Sequence, residues 1–302
     1  MPELSNSKFI KYFDKKVNNT IRKYQLFSRK DKIVVAVSGG KDSTVLLYVL
    51  KKLGYNVEGI TIDAKIGAYT EKNLENLKSV CKKYEIKLQV VSFREEFGHS
   101  LCYIRDVLKE KGYNYSSCML CGILKRYLLN KYAKKLKFDY LATGHNLDDE
   151  AETMTMNLFR NDFKLARRQG PIVGVVRSKK FVQRVKPLYF LKNAETKRYS
   201  QIMSFPVNYE ICPCSVKAYR REYRNIFEEF EKKHPDFKYN IIKFQEQMKN
   251  SLKKEKKAEI NTCEICGQAC SQEICKACTI FKELRLEKNI NKVKNHHKEQ
   301  EK

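Results

Sequence analysis

What this chain can fold into is constrained most by six residues, Ser38-Gly39-Gly40-Lys41-Asp42-Ser43, set between two apolar runs of different period. Lys32-Ile33-Val34-Val35-Ala36-Val37 is short and β-branched, as a buried strand requires, while Thr44-Val45-Leu46-Leu47-Tyr48-Val49-Leu50 is apolar at helical intervals. A strand therefore turns into a helix across paired glycines. Such a turn lets backbone approach an anion closely. The new helix aims unsatisfied N–H groups and its positive dipole end at that anion, and Lys41 and the serine hydroxyls add donors. The stretch is suited to holding phosphate. Its spacing is neither G-x-x-x-x-G-K-[ST] nor G-x-G-x-x-G, so the Walker loop and the dinucleotide fingerprint are both excluded.

The rest of the first half repeats this alternation. Residues about 6 to 28 place Phe9, Ile10, Phe13, Val17, Ile21 and Tyr24 among lysines, the pattern of an amphipathic helix with a basic outer face. Strands are expected at 57–63, 87–93 and 138–143, with a helix from Gly67 to about Lys83 and another from the Cys118 region to about Leu136. Strands separated by helices imply right-handed parallel crossovers, with the ligand at the carboxyl ends of the strands. Asp63 closes the second strand at that end, where it can meet a ribose hydroxyl or a magnesium ion. Gly144-His145-Asn146-Leu147-Asp148-Asp149-Glu150 follows the fourth strand, and its three carboxylates and histidine suit magnesium and pyrophosphate. Residues 161–183 read as a basic loop containing Arg167-Arg168, with a hairpin of 172–176 and 181–185 around Arg177-Ser178-Lys179-Lys180. A basic amphipathic helix is expected over about 216–231, and a linker or exposed helix end over 248–260.

The chain has 61 Lys+Arg against 35 Asp+Glu, a formal charge of +26, which favours a polyanionic partner such as a nucleic acid. No apolar run approaches the roughly 20 residues of a membrane span, and the start of the chain carries no signal-peptide core, so a cytoplasmic protein without membrane contact is expected. In that compartment 11 cysteines argue for metal or thiol chemistry rather than disulfides. Cys118-x-x-Cys121 opens a helix, where thiolates are favoured. Adding Cys212, from Cys212-Pro213-Cys214, gives three thiolates from two segments, which matches cluster ligation with one iron left open. Cys263-x-x-Cys266 and Cys275-x-x-Cys278 have the spacing of a zinc knuckle too small to fold without its metal. Cys270 is surplus to that site, Cys214 has no assigned role, and Cys81 and Cys102 read as small core residues.

Taken together, these motifs resemble the tRNA 2-thiolation enzymes of the TtuA and cytosolic wobble-uridine thiolation group, within the PP-loop ATP pyrophosphatase superfamily. The related tRNA thiocytidine synthetases share only the central part. The resemblance spans nearly the whole chain, with one departure: many members begin with a further four-ligand zinc module, and residues 1–31 here contain no cysteine. It implies an α/β fold with a doubly wound parallel sheet and a small C-terminal zinc knuckle. The expected division is an N-terminal helix (1–30), a catalytic PP-loop domain (31–210), a basic helical extension (211–258), the zinc module (259–288) and a disordered tail (289–302).

The resemblance further implies that Cys118, Cys121 and Cys212 hold a [4Fe-4S] cluster, the cysteine before proline being preferred to Cys214. It aligns Ala36, Ser38, Asp42, Ile62, Lys125 and Gly144 with positions lining the ATP site, beside Gly39, Gly40, Lys41, Ser43 and Asp149 of the two polar motifs. Cys263, Cys266, Cys275 and Cys278 align with the Zn2+ site. The implied activity is ATP-dependent, with Mg2+. A tRNA uridine is adenylated at its 2-oxo group with release of pyrophosphate, and sulfur transfer through the cluster expels AMP. Lys41 and the N–H groups after Gly39 would be the electrostatic catalysts, with Asp42 and Asp149 positioning metal or phosphate. Partners would be tRNA and either sulfide or a ubiquitin-like sulfur carrier; assembly as a homodimer is left open. Alternatives are a tRNA 2-thiocytidine synthetase, a persulfide-using tRNA thiolase, or a non-enzymatic zinc-ribbon RNA-binding protein.

Overall fold

The structure, a computed structural model, describes residues 4–173, 181–215, 219–251 and 261–284. The elements in chain order are α1 (Asn6–Lys23), β1 (Lys32–Ala36), α2 (Lys41–Lys52), β2 (Asn56–Asp63), α3 (Gly67–Lys83), β3 (Leu88–Ser92), α4 (Phe93–Phe97), α5 (Leu101–Glu110) and α6 (Ser117–Lys135). They continue as β4 (Tyr140–Thr143), α7 (Leu147–Phe159), α8 (Phe163–Arg168), β5 (Gln183–Val185), α9 (Asn193–Ile202), α10 (Arg220–Lys233), α11 (Phe237–Ser251), β6 (Asn261–Thr262), β7 (Ala269–Cys270) and α12 (Lys276–Glu283).

Five strands form one parallel sheet in the order β3-β2-β1-β4-β5. Because β1 and β4 are neighbours while the chain runs outward from β1 through β2 to β3, the order reverses between β1 and β4. A crevice opens at such a point, at the carboxyl ends of the strands. The two polar motifs end those two strands. Apolar layers cover both faces. Phe13, Val17, Leu46, Leu50, Leu77 and Tyr199 pack against one, and Phe93, Ile104, Leu124, Leu128 and Phe281 against the other. In α1, Phe9, Phe13, Val17 and Ile21 are buried, as the amphipathic pattern predicts, and the helix ends at Lys23 rather than near residue 28.

Three differences from the sequence reading stand out. The expected loop after Asn161 contains α8, whose start is capped by Asp162 accepting from the Leu165 N–H at 2.9 Å. A cap can start a helix that a six-residue stretch is too short to announce by periodicity. The expected hairpin is present where Val173 N–H donates to Arg184 O and Lys186 N–H to Pro171 O, and its turn at 177–180 lies outside the described residues. Its second arm also pairs in parallel with β4 as β5, a role that three residues cannot reveal by pattern. Finally, α11 packs on α7 with Ile242 and Gln245 buried, and Gln245 donates to Ala166 O. It continues through Ser251, so the expected linker begins as helix, and residues 252–260 lie outside the described set. So do residues 216–218 and the tail beyond 284.

Among the described residues no helix is long and apolar enough to cross a membrane.

Candidate active site

The phosphate turn is held by its own side chains. Ser43 Oγ accepts from the Ser38 N–H at 3.1 Å and donates to Gly40 O at 3.1 Å, locking the start of α2 beneath the end of β1. Gly40 is the N-cap, and no side chain caps the first turn of α2, which leaves its amides for an anion. Gly39 has φ +81°, and a Cβ there would stand 2.7 Å from Asn73 O, so backbone of α3 closes directly on the turn. Lys41 Nζ lies 2.7 Å from both Asp42 oxygens and also meets Asn193 Oδ1 and, at 3.2 Å, Thr196 Oγ1. Asp42 further accepts from Asn146 Nδ2 at 3.1 Å and Thr196 Oγ1 at 2.5 Å. Lys41 and Asp42 are therefore pre-positioned by α9 and by the second motif.

Gly144 brings that second motif into contact with the turn. A Cβ at Gly144 would stand 2.8 Å from Ser43 N, so only glycine lets β4 end against α2. Gly144→Ala should push the first turn of α2 away and raise the KM for ATP by about tenfold, roughly one anion-binding hydrogen bond, with kcat less affected. An unchanged ATP KM in steady-state assays would contradict this contact.

Asn146 and Asp149 form a reciprocal capping box at the start of α7. Burial raises the Asp149 pKa, but His145, Arg220 and Arg224 outweigh it and hold the carboxyl below its ordinary range. Burial keeps His145 a neutral imidazole despite Asp149, and its Nδ1 lies 2.9 Å from Thr143 Oγ1. Two of the three carboxylates expected to serve magnesium are committed elsewhere. Asp148 joins Lys238 Nζ at 2.5 Å and the Asn193 N–H at 2.7 Å, and buried Glu150 meets Lys186 at 2.6 Å. These pairs fasten α11, α9 and the Lys186 turn to α7. Asp149 alone of the three remains beside the phosphate turn, facing Arg220 at 3.5 Å and Arg224 at 3.6 Å.

A cleft of about 320 Å³ opens next to the turn. Ser38, Ile62, Asp63, Cys118, Cys121, Lys125, Cys212 and Cys214 all line it. Residues from β1, β2, α6 and the segment after α9 thus converge. The remaining expected ATP-site residues, Ala36, Gly39, Gly40, Lys41, Asp42, Ser43, Gly144 and Asp149, lie outside this lining, at the ends of β1 and β4 and the starts of α2 and α7. Asp63 is buried, with one carboxylate oxygen bound by the Lys65 N–H and the other 3.0 Å from Lys65 Nζ.

The cysteines differ from expectation in one respect. The helix start was expected to favour thiolates, yet burial and the neighbouring Cys121 and Cys212 sulfurs raise Cys118, and burial raises Cys121 against the pull of Lys125. The Ser116 hydroxyl occupies the Met119 amide, so one first-turn donor is unavailable to sulfur. Three crowded sulfurs repel as anions unless a cation lies among them, which is the chemistry of a thiolate-ligated metal centre. The donor set fits such a group. Cys102, expected in the core, is instead half-exposed and hydrogen-bonded with Cys214, which burial, Cys212 and Cys102 push up to about 11. Cys81 is buried in the core as expected.

In the C-terminal module the sulfurs of Cys263, Cys266, Cys275 and Cys278 lie within 4.8 Å of one another. The Cys275 N–H donates to Cys263 Sγ at 3.3 Å and the Cys278 N–H to Cys275 Sγ at 3.4 Å, a backbone shell that favours thiolates. Cys270 turns aside to Gln272 O. The module docks on α6, with Phe281 against Phe97 and Tyr127 and with Asn130 donating to Gln268 Oε1 at 3.3 Å.

A model of the PP-loop domain family matches residues 9–211. Over 95% of its length the chain is 36% identical to the tRNA-5-methyluridine(54) 2-sulfurtransferase of Pyrococcus horikoshii, covering 89% of that protein. The chain belongs to the PP-loop tRNA 2-thiolation family. It is also 34% identical to the cytoplasmic tRNA 2-thiolation protein 1 of Aspergillus niger, over 93% of this chain and 83% of that one. Among solved structures, the U34-tRNA thiolase NcsA of Methanococcus maripaludis with its [4Fe-4S] cluster superposes with a TM-score of 0.78. That match has 29% identity and covers 91% of this chain and 88% of the other.

Several residues of this PP-loop site are not visible in its motifs. Asn193 and Thr196 reach Lys41 and Asp42 from about 150 residues away, and Tyr69 and Asn73 line the cleft from α3. The only local signal is Glu195 three residues after Lys192, which forms the box that starts α9.

Proposed function

We propose that this protein is an ATP-dependent tRNA 2-thiouridine synthetase. The observation that carries the reading is the convergence of Cys118, Cys121 and Cys212 on the cleft that Ser38 of the phosphate turn also lines. ATP binds with its phosphates at the first-turn amides of α2, and its adenine toward Ala36 and Ile62. The uridine 2-oxo oxygen attacks the α-phosphorus while the bond to pyrophosphate breaks. Lys41 and the amides after Gly39 stabilise the charge that develops, a task for preorganised donors. Mg2+ enters with the nucleotide, with Asp42 and Asp149 to meet it. Hydrosulfide in the cleft then attacks C2 and AMP departs with the original oxygen, so no net redox change occurs. Cys118, Cys121 and Cys212 would hold a [4Fe-4S] cluster, which when bound supplies a Lewis-acidic iron free of protein sulfur. Zn2+ would occupy the C-terminal module. Sulfide or a ubiquitin-like carrier would supply the sulfur to a cytoplasmic enzyme, as a monomer or a homodimer.

The relatives' names point to two different uridines, so the shared chemistry is the conclusion here. Anaerobic incubation of the protein with ATP, Mg2+, sulfide and tRNA, followed by nucleoside mass spectrometry, tests it. Equimolar AMP, pyrophosphate and 2-thiouridine are expected. Sulfur found only on cytidine, or AMP formed without a thiolated nucleoside, would overturn the reading.

A further inference from the structure

Two arginines beside the cleft lack an anionic partner. Elsewhere Arg224 grips Glu152 through two bonds of 2.9 and 3.1 Å, and Arg105 grips Asp106. Among the described residues no carboxylate pairs with Arg126 or Arg184. The one charged neighbour that acts on Arg184 is Arg126, and the one that acts on Arg126 is the Cys121 sulfur. Solvent reaches Arg126, yet enough protein surrounds both groups that desolvation lowers their pKa values. Holding two guanidinium ions together in a concave site is unfavourable until an anion joins them.

The placement is built into the backbone. A Cβ at Gly122 would stand 2.8 Å from an Arg126 guanidinium nitrogen, so glycine lets the side chain fold back along α6. Arg184 pairs in register with Leu141, whose side chain belongs to the layer that packs against α6, so Arg184 projects on the α6 side of the sheet edge. Gly122, Cys118 and Cys121 line the cleft, whereas neither arginine does. The pair therefore stands just outside the cleft, on the far side of the cysteines from the phosphate turn. ATP phosphates already have donors at that turn. A polynucleotide with one base inserted among the cysteines would lay its backbone outside.

We propose that Arg126 and Arg184 form a phosphodiester-binding pair that seats the RNA strand next to the Cys118, Cys121 and Cys212 cleft. Planar guanidinium forks match phosphate oxygens two at a time, which fixes the strand's position as well as its affinity. The inference rests on the tRNA thiolation reading.

The test uses the full chain and measures tRNA binding by fluorescence anisotropy between about 50 and 300 mM salt. Arg126→Gln and Arg184→Gln should each reduce the slope of log affinity against log salt by about 0.7–0.9, and the double variant should bind about tenfold more weakly near physiological salt. Lysine at both positions should keep most of the slope. Removing an uncompensated cation should leave the melting temperature unchanged or higher, and directly measured ATP affinity and reconstituted iron content should not change. Equal tRNA affinity and slope in all variants would overturn the proposal. So would a loss confined to ATP affinity, which would assign the pair to nucleotide phosphates, or one confined to iron content, which would assign it to the cysteine centre. A drop in melting temperature would make the role structural and overturn it too. If the wild-type chain fails to bind tRNA, the functional reading fails first.

Discussion

Cys212→Ser should lower tRNA thiolation by at least about 100-fold while ATP binding persists. Loss of a residue that merely supports a metal ligand costs 10–100-fold in affinity or activity, so loss of a ligand itself should cost more. Cys212 lies between two structural units, since it lines the cleft opposite α6 yet belongs to the segment after α9. Serine preserves its size and the Cys212 carbonyl that accepts from Ser215, so the change falls on sulfur chemistry. The phosphate turn makes no contact with Cys212 in its hydrogen bonding, which is why nucleotide affinity should survive. Iron and acid-labile sulfide should fall after anaerobic reconstitution. Cys214→Ser is the informative companion. Cys214 lines the same cleft, and its carbonyl accepts from Cys118 Sγ at 3.8 Å, but its thiol is turned to Cys102. That variant should keep its iron. If Cys214→Ser loses iron and Cys212→Ser does not, the two cysteines exchange roles. If both variants keep iron and activity, cluster ligation at this site is wrong.

Removing the metal from the C-terminal module should unfold that module and weaken α6. A structural zinc in a small module contributes about 10–16 kcal/mol of folding free energy. The unit from Asn261 has only a two-residue hairpin and one helix of its own, so it cannot replace that contribution by apolar burial. Buried Cys263, Cys266 and Cys278 would become four-sulfur fragments without a centre, and Phe281 would lose its fixed position against Phe97 and Tyr127. The same helix carries Cys118 and Cys121 at its start. Cys263→Ala should therefore release one zinc per chain, expose thiols to a colorimetric reagent, lower the melting temperature, and reduce retention of iron at the distant cysteines. Unaltered melting and iron content would show that the module is an independent appendage.

The relation between the chain's local text and its site is uneven for a physical reason. Ser38–Ser43 and Asn146–Asp149 are legible because their partners are their own neighbours. Ser43 bonds Gly40 and Ser38, and Asn146 bonds Asp149. The strands were legible for the same reason, as short β-branched runs bounded by turns, and so was the spacing of the eventual zinc ligands. Asp148 and Glu150 have the same local character as Asp149 and read the same way. Their partners Lys238 and Lys186 lie 90 and 36 residues away, and those partners make them structural. Cys102 illustrates the same point, since its neighbour Cys214 belongs to a segment that only the folded chain brings near.

By itself, then, the sequence determined a strand, phosphate turn and helix, a parallel α/β architecture, and the spacing of each cysteine group. These follow from hydrogen bonds and periodicities that close within a few residues. The tertiary structure decided which carboxylate stays at the nucleotide, that β5 and α11 complete the catalytic body, and that Arg126 meets Arg184 without a counter-charge. Those outcomes depend on burial and long-range pairing, whose energies arise only when distant segments share one low-dielectric surface.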